Sequence, residues 1–194
     1  MLQKFYQRIL ALSRHRHASI WLGAVSFIES SVFPIPPDVM LVPMALADRA
    51  KAFRYAFVCT ATSVLGGLLG YAIGFWFWEA FGAGVIEFYG YREEFRAFEG
   101  AFIEWGAWLV FVFGVTFFPY KVITIASGVV KLDPLTFIVA SVLSRSLRFY
   151  IEAGLIWKFG EAVQRFIEKR LALVMTIVVF SVLLGFVAIK YLVD

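Results

Sequence analysis

The sequence predicts an all-α integral membrane protein with two opposed re-entrant helical hairpins and about three transmembrane helices, arranged as an inverted-topology repeat. Three observations predict this fold class. Hydrophobic residues make up 61% of the 194 positions and the mean hydropathy is +0.82, whereas a soluble domain is nearer half apolar. Proline interrupts one apolar segment in each half of the chain, and lysine and arginine are concentrated on one face.

The first interrupted segment, residues 18–47, predicts a hairpin that enters and leaves the membrane on the same side. Pro34, Pro36 and Pro37 remove backbone donors and end a helix. A spanning helix needs about 20 apolar residues, so this segment is too short to cross twice. Arms of about a dozen residues rise only ~18 Å and therefore end near the middle of the membrane.

The second predicted hairpin comprises residues 105–130 and breaks at Pro119. Between the hairpins, residues 53–78 are predicted to form a spanning helix. Glycine recurs at every fourth position of this helix, at Gly66, Gly70 and Gly74. Small residues at this spacing permit another helix to approach closely, either within the chain or across a homodimer.

The charge and the length of each remaining segment predict its position relative to the membrane. Residues 1–17 are predicted to form an amphipathic helix lying on the membrane surface. Residues 79–104 form an outer acidic segment, residues 134–157 a spanning helix and residues 171–193 a C-terminal transmembrane helix. Residues 18–160 together constitute one membrane domain.

The distribution of basic residues predicts the orientation. If both interrupted segments re-enter, eleven lysines and arginines lie on one face: Lys4, Arg8, Arg14, Arg16, Arg49, Lys51, Arg54, Lys158, Arg165, Lys169 and Arg170. The other face holds four: Arg92, Arg96, Lys131 and Lys190. By the positive-inside rule, we expect a multi-pass protein of the inner (plasma) membrane with a cytoplasmic amino terminus.

Six ionisable residues fall at membrane depth: Glu29, Asp38, Lys121, Arg145, Arg148 and Glu152. Each costs at least ~2.5 kcal/mol at a helix centre, so they are expected to pair, to face inward or to line water. The three bases, Lys121, Arg145 and Arg148, are expected to bind an anionic headgroup, because the arginine fork suits phosphate. The three acids, Glu29, Asp38 and Glu152, are expected to pair with them or to relay protons.

The sequence predicts no metal site, no cofactor and no catalytic residues. Cys59 is the single cysteine, and His15 and His17 have no acid or cysteine nearby to complete a metal site. There is no H-E-x-x-H, G-x-S-x-G or P-loop motif, so enzymatic activity is not expected. We attribute the net charge of +4 to membrane orientation and lipid contact, and we expect no nucleic-acid partner.

Several motifs resemble those of the DedA family, which carries the VTT (SNARE-associated Golgi protein) domain. They are Glu29-Ser-Ser-Val-Phe-Pro-Ile-Pro-Pro-Asp38, Phe117-Phe-Pro-Tyr-Lys121, Ser127-Gly128 and an arginine-bearing span. The resemblance covers roughly residues 18–160 and is closest to the YqaA-like branch. It implies opposed re-entrant hairpins and lipid translocation, either of undecaprenyl phosphate or by phospholipid scrambling.

The resemblance also carries expectations for individual residues. Glu29 and Asp38 match the acids of the family. Many members have two arginines around the second proline, where this chain has Thr116 and Lys121. Arg145 and Arg148 are therefore expected to supply the missing positive charge.

The predicted function is that of a transporter, flippase or scramblase for an anionic phosphate-bearing lipid, either a polyprenyl phosphate or a phospholipid. Whether this transport is coupled to protons is left open. Two alternative functions stay open as well: a proton-coupled carrier of a small ion or metabolite, and a non-transporting membrane scaffold. Membrane lipid is the expected partner, and a homodimer is left open.

Overall fold

The computed structural model describes residues 17–31, 36–82, 84, 92–116, 119–160 and 162. Every regular element in these ranges is helical, which confirms the all-α prediction. The helices are α1 (Ala18–Ser31), α2 (Asp38–Ala47), α3 (Ala52–Phe77), α4 (Arg92–Val115), α5 (Tyr120–Val129) and α6 (residues 134–160). A 3-10 turn, Arg49–Lys51, precedes α3, and a π-helical turn, Trp78–Gly82, extends it.

The helix boundaries differ from the predicted segments at one place. Helix α4 runs without interruption from Arg92 to Val115, across the predicted boundary between residues 104 and 105. Glutamate is a good helix former, so the acidic stretch continues directly into the apolar arm. The predicted helices at residues 1–16 and 171–193 lie outside the described residues, as does Pro34.

Helices α1 and α2 form a hairpin against the first half of α3. Helix α1 runs parallel to α3, because Gly23 faces Val58 and Thr62 while Gly66 faces the backbone of Phe27, one turn further along both helices. Helix α2 returns to the starting level. Its buried residues share one core with the start of α1 and the start of α3: Leu41, Met44, Ala45, Ala18, Leu22, Ala52, Ala56 and Cys59.

Helices α4 and α5 form a second hairpin that opens toward the opposite end of α3. Gly106 faces Leu132, which follows α5, and Gly114 lies beside Tyr120, which begins α5. The two helices are therefore antiparallel. Helix α5 follows α3 from the level of Gly67 onward, so the tips of both hairpins lie beside the middle of α3.

Helix α6 runs antiparallel to α3 and contacts both hairpins. Near its start, the ring of Phe137 lies 5.2 Å from that of Tyr71. Near its end, the ring of Trp157 lies 6.1 Å from that of Phe53, at the start of α3. The middle of α6 is thereby held at the depth where the two hairpins break.

The glycine stripe of α3 packs within the chain. A Cβ atom at Gly66 would overlap the Phe27 carbonyl, and one at Gly70 would overlap the Thr124 side chain. At Gly74 it would overlap the Ile125 carbonyl. The stripe thus receives α1 of the first hairpin and α5 of the second. This resolves the two alternatives for the stripe in favour of intrachain packing, while the homodimer itself stays a prediction.

The carboxyl end of α5 is closed by a Schellman motif. The backbone N–H of Leu132 donates to the Ser127 carbonyl at 2.9 Å, and that of Lys131 donates to the Gly128 carbonyl at 3.1 Å. Lys131 adopts φ of 55°, the left-handed conformation that this motif requires. Its ammonium group forms an ion pair with Glu79 beyond α3, which joins the second hairpin to the end of the central helix.

Asp133 caps the amino end of α6. Its Oδ2 accepts hydrogen bonds of 2.8 Å from the backbone N–H and from the hydroxyl of Thr136. The backbone hydrogen bond, followed by the side-chain one, holds the pKa of Asp133 below its ordinary value. With Pro134 at the first helical position, the chain starts α6 immediately after α5 ends.

We expect Gly66→Ala to destabilise the protein by about 1–3 kcal/mol, the usual range for overpacking. The new methyl group would overlap the Phe27 carbonyl, and a helical backbone cannot move aside as a side chain can. The matched control is Gly154→Ala on α6, where a Cβ atom meets nothing within 4 Å. Thermal unfolding of both variants in detergent checks the prediction, and equal midpoints would contradict intrachain packing of the stripe.

Candidate functional site

Arg145 lies at the centre of the helix assembly with 1% of its side chain exposed. Its guanidinium donates to three different elements. Nε donates to the Ser63 hydroxyl of α3 at 2.6 Å, and Nη2 donates to the Glu29 carboxylate of α1 at 3.1 Å. Nη1 points to the Gly114 carbonyl of α4 at 3.5 Å. One side chain therefore ties α6 to both hairpins and to the central helix.

Aromatic rings cover the guanidinium of Arg145. Its central carbon lies 4.7 Å from the ring centroid of Tyr120 and 4.8 Å from that of Phe149. Both distances suit a cation–π interaction, which is stronger where water is absent. The Tyr120 hydroxyl donates to the Ser141 hydroxyl at 2.5 Å. Each nitrogen of the Arg145 guanidinium therefore donates to a protein group, and aromatic rings cover the faces of the group.

Small hydroxyl residues surround the Arg145–Glu29 pair. Ser30 shares a 2.7 Å hydrogen bond with Ser63 and also donates to Glu29 at 3.2 Å. The hydroxyl of Ser26 donates to the Cys59 carbonyl at 2.9 Å. Ser30 and Ser63 thus satisfy the ion pair without admitting a large group, whereas the Ser26 bond joins α1 to α3.

Arg148 connects the breaks of the two hairpins. Its Nη2 donates to Asp38, the first residue of α2, at 2.6 Å. Its Nη1 donates to the carbonyl of Thr116, which follows α4, at 2.6 Å. The Arg148 side chain is 12% exposed and that of Asp38 is 20% exposed. This second ion pair is therefore more accessible than the first.

Glu152 extends the charged face of α6 by one turn beyond Arg148. Its carboxyl group lies within side-chain hydrogen-bonding reach of Asp38. The second oxygen of Asp38, Oδ1, is buried and accepts no hydrogen bond from a described residue. Two acids and one arginine therefore meet at the first hairpin break.

The prolines define the hairpin tips. Pro36 and Pro37 stand directly before α2, where their carbonyls accept the first backbone hydrogen bonds of that helix. Pro119 stands before α5 in an extended conformation and leaves the helix free to start at Tyr120. The carboxylate of Asp38 consequently lies at a helix amino terminus, where the helix dipole favours negative charge.

Five of the six predicted site residues come together, and Lys121 stands apart from them. Lys121 is half-buried in the first turn of α5, and its ammonium group has no hydrogen bond or ion pair with a described residue. Among described residues, no group of three or more histidine, cysteine, aspartate or glutamate residues could hold a metal ion.

Sequence reasoning missed the neutral groups that complete the site. Ser63, Tyr120 and Phe149 surround Arg145, and the carbonyls of Gly114 and Thr116 accept from the two arginines. One sequence signal was available, since Ser26 and Ser30 repeat at i and i+4 beside Glu29 on an otherwise apolar helix. The carbonyl acceptors carry no sequence signal, because every residue has one.

Two proteins are similar to this chain over most of its length. A Haemophilus influenzae protein named as uncharacterized is 36% identical over 183 residues, which cover 94% of this chain and 95% of that protein. A Histophilus somni protein, named as an uncharacterized homologue of HI0703, is 37% identical over 167 residues, which cover 84% and 87%. No family model matches the chain, and no solved structure matches it.

We expect Glu29→Gln to lower the free energy of unfolding by about 3–5 kcal/mol, because it leaves the buried Arg145 charge uncompensated. Glu104→Gln is the matched control, since Glu104 is exposed on α4 and its replacement should stay within ~0.5 kcal/mol. Denaturant unfolding in detergent measures both. A Glu29→Gln variant as stable as the control would contradict a structural role for this pair.

Proposed function

Since the chain belongs to the same family as these Haemophilus influenzae and Histophilus somni proteins, whose names state no activity, we propose a function from its own geometry. The protein is a multi-pass protein of the inner membrane that moves an anionic, phosphate-bearing lipid between the two leaflets. The observation that best supports this proposal is the position of Arg148. This partly exposed arginine bridges the two hairpin breaks within an assembly whose surface is apolar.

The distribution of polarity supports a membrane location. Arginine, serine and threonine side chains are buried, as at Arg145, Ser63 and Thr124. Large apolar side chains face outward on the described helices, among them Phe57, Leu65, Trp76, Ile103, Trp108 and Leu135, each more than half exposed. A polar interior and an apolar exterior suit a lipid solvent, whereas so much apolar surface in water would drive association.

Helix lengths support hairpins that end inside the membrane. Among the described residues, one helix, Arg49–Gly82, is long and apolar enough to cross a bilayer. Three further apolar helices are shorter: Asp38–Ala47, Phe102–Val115 and Tyr120–Val129. Two of these, α2 and α5, begin directly at a proline break, as the arms of re-entrant hairpins do.

Aromatic residues cluster at both ends of the central helix. Phe53 packs with Trp157 at one end, and Trp76 is exposed near the other. From Phe53 to Trp76, an α-helix rises about 35 Å. This is close to the ~30 Å hydrocarbon core plus part of both interfaces, the level at which tryptophan is enriched.

Arg148 is the better candidate for the headgroup ligand. Arg145 is enclosed by protein, whereas Arg148 is more exposed and pairs with a carboxylate that an incoming phosphate could replace. A guanidinium binds phosphate and carboxylate with the same fork. Lys121, which has no polar partner among the described residues, offers a second positive charge on the other hairpin.

An open, shallow apolar surface on α6 is compatible with a lipid substrate. It lies on the outer face of α6 and is lined by Leu143, Ser146, Leu147, Tyr150 and Ile151. An acyl chain lying along this surface would contact the same stretch of α6 that carries Arg148. The motifs that resemble the DedA family support the same class of substrate, and we propose that this family is a branch of that group.

The scaffold alternative is favoured by a specific observation, the complete enclosure of Arg145. A protein whose charges only fix helix positions would have every such charge saturated by protein. Lys121 and Arg148 argue against this alternative, because one has no polar partner among the described residues and the other is partly accessible.

The proposed orientation is tested with impermeant maleimides on intact cells, in a Cys59→Ala background. Ala50→Cys lies in the turn before α3 and should be protected from outside, because the basic end is cytoplasmic. Gly100→Cys lies on α4 at the opposite end and should react. If both cysteines reacted with maleimide from the same side of the membrane, the prediction of opposed hairpins would be wrong.

The proposed activity is tested in liposomes with fluorescent phosphatidylglycerol and, for comparison, phosphatidylcholine. We expect Arg148→Gln to slow movement of the anionic lipid about tenfold or more, because a hydrogen bond to a charged group contributes ~1.5–3 kcal/mol. Lys121→Gln should slow it in the same direction. The control, Lys158→Gln, removes an exposed charge at the end of α6 and should leave the rate unchanged. No movement of either lipid by the unmodified protein would favour the scaffold.

A further inference from the structure

The charges at the first hairpin break do not balance. Arg145 pairs with Glu29 at 3.1 Å, and Arg148 pairs with Asp38 at 2.6 Å. Glu152 forms no ion pair with a described residue, so the cluster carries one negative charge in excess when all acids are ionised. An uncompensated charge at membrane depth is costly, and an acid in that position takes up a proton instead.

The hydrogen bonds around Asp38 leave one of its oxygens available to a donor. Asp38 uses Oδ2 for Arg148, while its Oδ1 is buried and accepts from no described residue. Helix α2 runs beside α6, since Leu41 and Ala45 share a core with Phe149 and Ala153. Glu152 lies on this side, within side-chain hydrogen-bonding reach of Asp38. Two carboxylates cannot bond to each other, because ionised oxygens only accept, whereas a protonated carboxyl group donates.

We propose that Asp38 and Glu152 form a proton-binding site in which Glu152, as a carboxylic acid, donates its O–H to Oδ1 of Asp38. The shared proton satisfies the orphaned oxygen and removes the excess charge in one step. This inference rests on the membrane location proposed above and is independent of which lipid the protein moves.

Among the described residues, the surrounding helices supply no other group that could balance the charge. The described titratable and charged groups near the pair are Arg145 and Arg148 on α6 and Cys59 on α3, while Glu29 on α1 and Tyr120 on α5 lie beside Arg145. Of these, only the two arginines are positive, and each already pairs with another acid. Cys59 and Tyr120 are neutral in their ordinary forms.

Loss of the proton would place two carboxylates beside one guanidinium. Like charges at this distance repel, so the two acids would compete for Arg148. Arg148 also donates to the Thr116 carbonyl at the second hairpin break. Proton occupancy is thereby linked to the contact that joins the two hairpin tips.

The site is tested with dicyclohexylcarbodiimide, which enters lipid phases and modifies protonated carboxyl groups. In the purified full-length protein, mass spectrometry should find the adduct on Glu152, with labelling lost as the pH rises. Glu152→Gln should abolish the adduct. Asp38→Asn should decrease labelling, because Glu152 then becomes the only acid available to Arg148 and ionises. Glu104→Gln, on the exposed face of α4, is the control and should leave labelling unchanged.

An infrared measurement covers the case in which the reagent cannot reach the site. A carboxylic-acid carbonyl band that disappears at high pH and is absent in Glu152→Gln supports the proposal. No such band and no Glu152 adduct at any pH would overturn it, as would labelling that Asp38→Asn leaves unaltered. Protection by sodium but not by choline would overturn it in favour of a cation site. Because no lipid movement is measured, failure here is distinguishable from failure of the transport proposal.

Discussion

The buried guanidinium of Arg145 constrains the packing of four other helices, α1, α3, α4 and α5, around α6. Removing a guanidinium from water is tolerated only when its donors are satisfied, and here they reach α1, α3 and α4 while rings from α5 and α6 cover its faces. One side chain on α6 therefore contacts an arm of each hairpin and the central helix.

The glycine stripe makes this arrangement sterically feasible. The guanidinium of Arg145 can reach Ser63 and Glu29 together only if α1 lies directly against α3. The overlap that a Cβ atom at Gly66 would have with the Phe27 carbonyl indicates how close the two backbones are. On the other side of the stripe, Gly74 admits α5 in the same way. The glycine stripe of α3 allows the close helix contact, and the buried charge of Arg145 on α6 requires it.

Two arginines three residues apart differ in environment because their described partners lie in different parts of the helix assembly. Arg145 faces the interior between α1 and α4, where serine hydroxyls and aromatic rings complete its shell. Arg148, nearly one turn further, donates to Asp38 at the start of α2 and to the carbonyl of Thr116 after α4, and its side chain is more exposed than that of Arg145. Contacts at chain breaks involve fewer packed neighbours than contacts inside helices, so they are the ones a ligand can displace at lower cost. A structural charge pair and an exchangeable one can therefore occur on the same helix face.

The sequence by itself determined the helical class, the two proline breaks and five of the charged residues that meet between them. These follow from local physics: proline ends a helix, apolar composition favours membrane helices, and Arg145, Arg148 and Glu152 share a face by their spacing. Only the tertiary structure decided which acid pairs with which arginine, that α4 continues through residue 104, and that Lys121 stands apart from the ion pairs. Those outcomes depend on the distance between helices and on backbone carbonyls such as Gly114 and Thr116, which are chemically alike at every position and acquire a role only once the hairpins have packed.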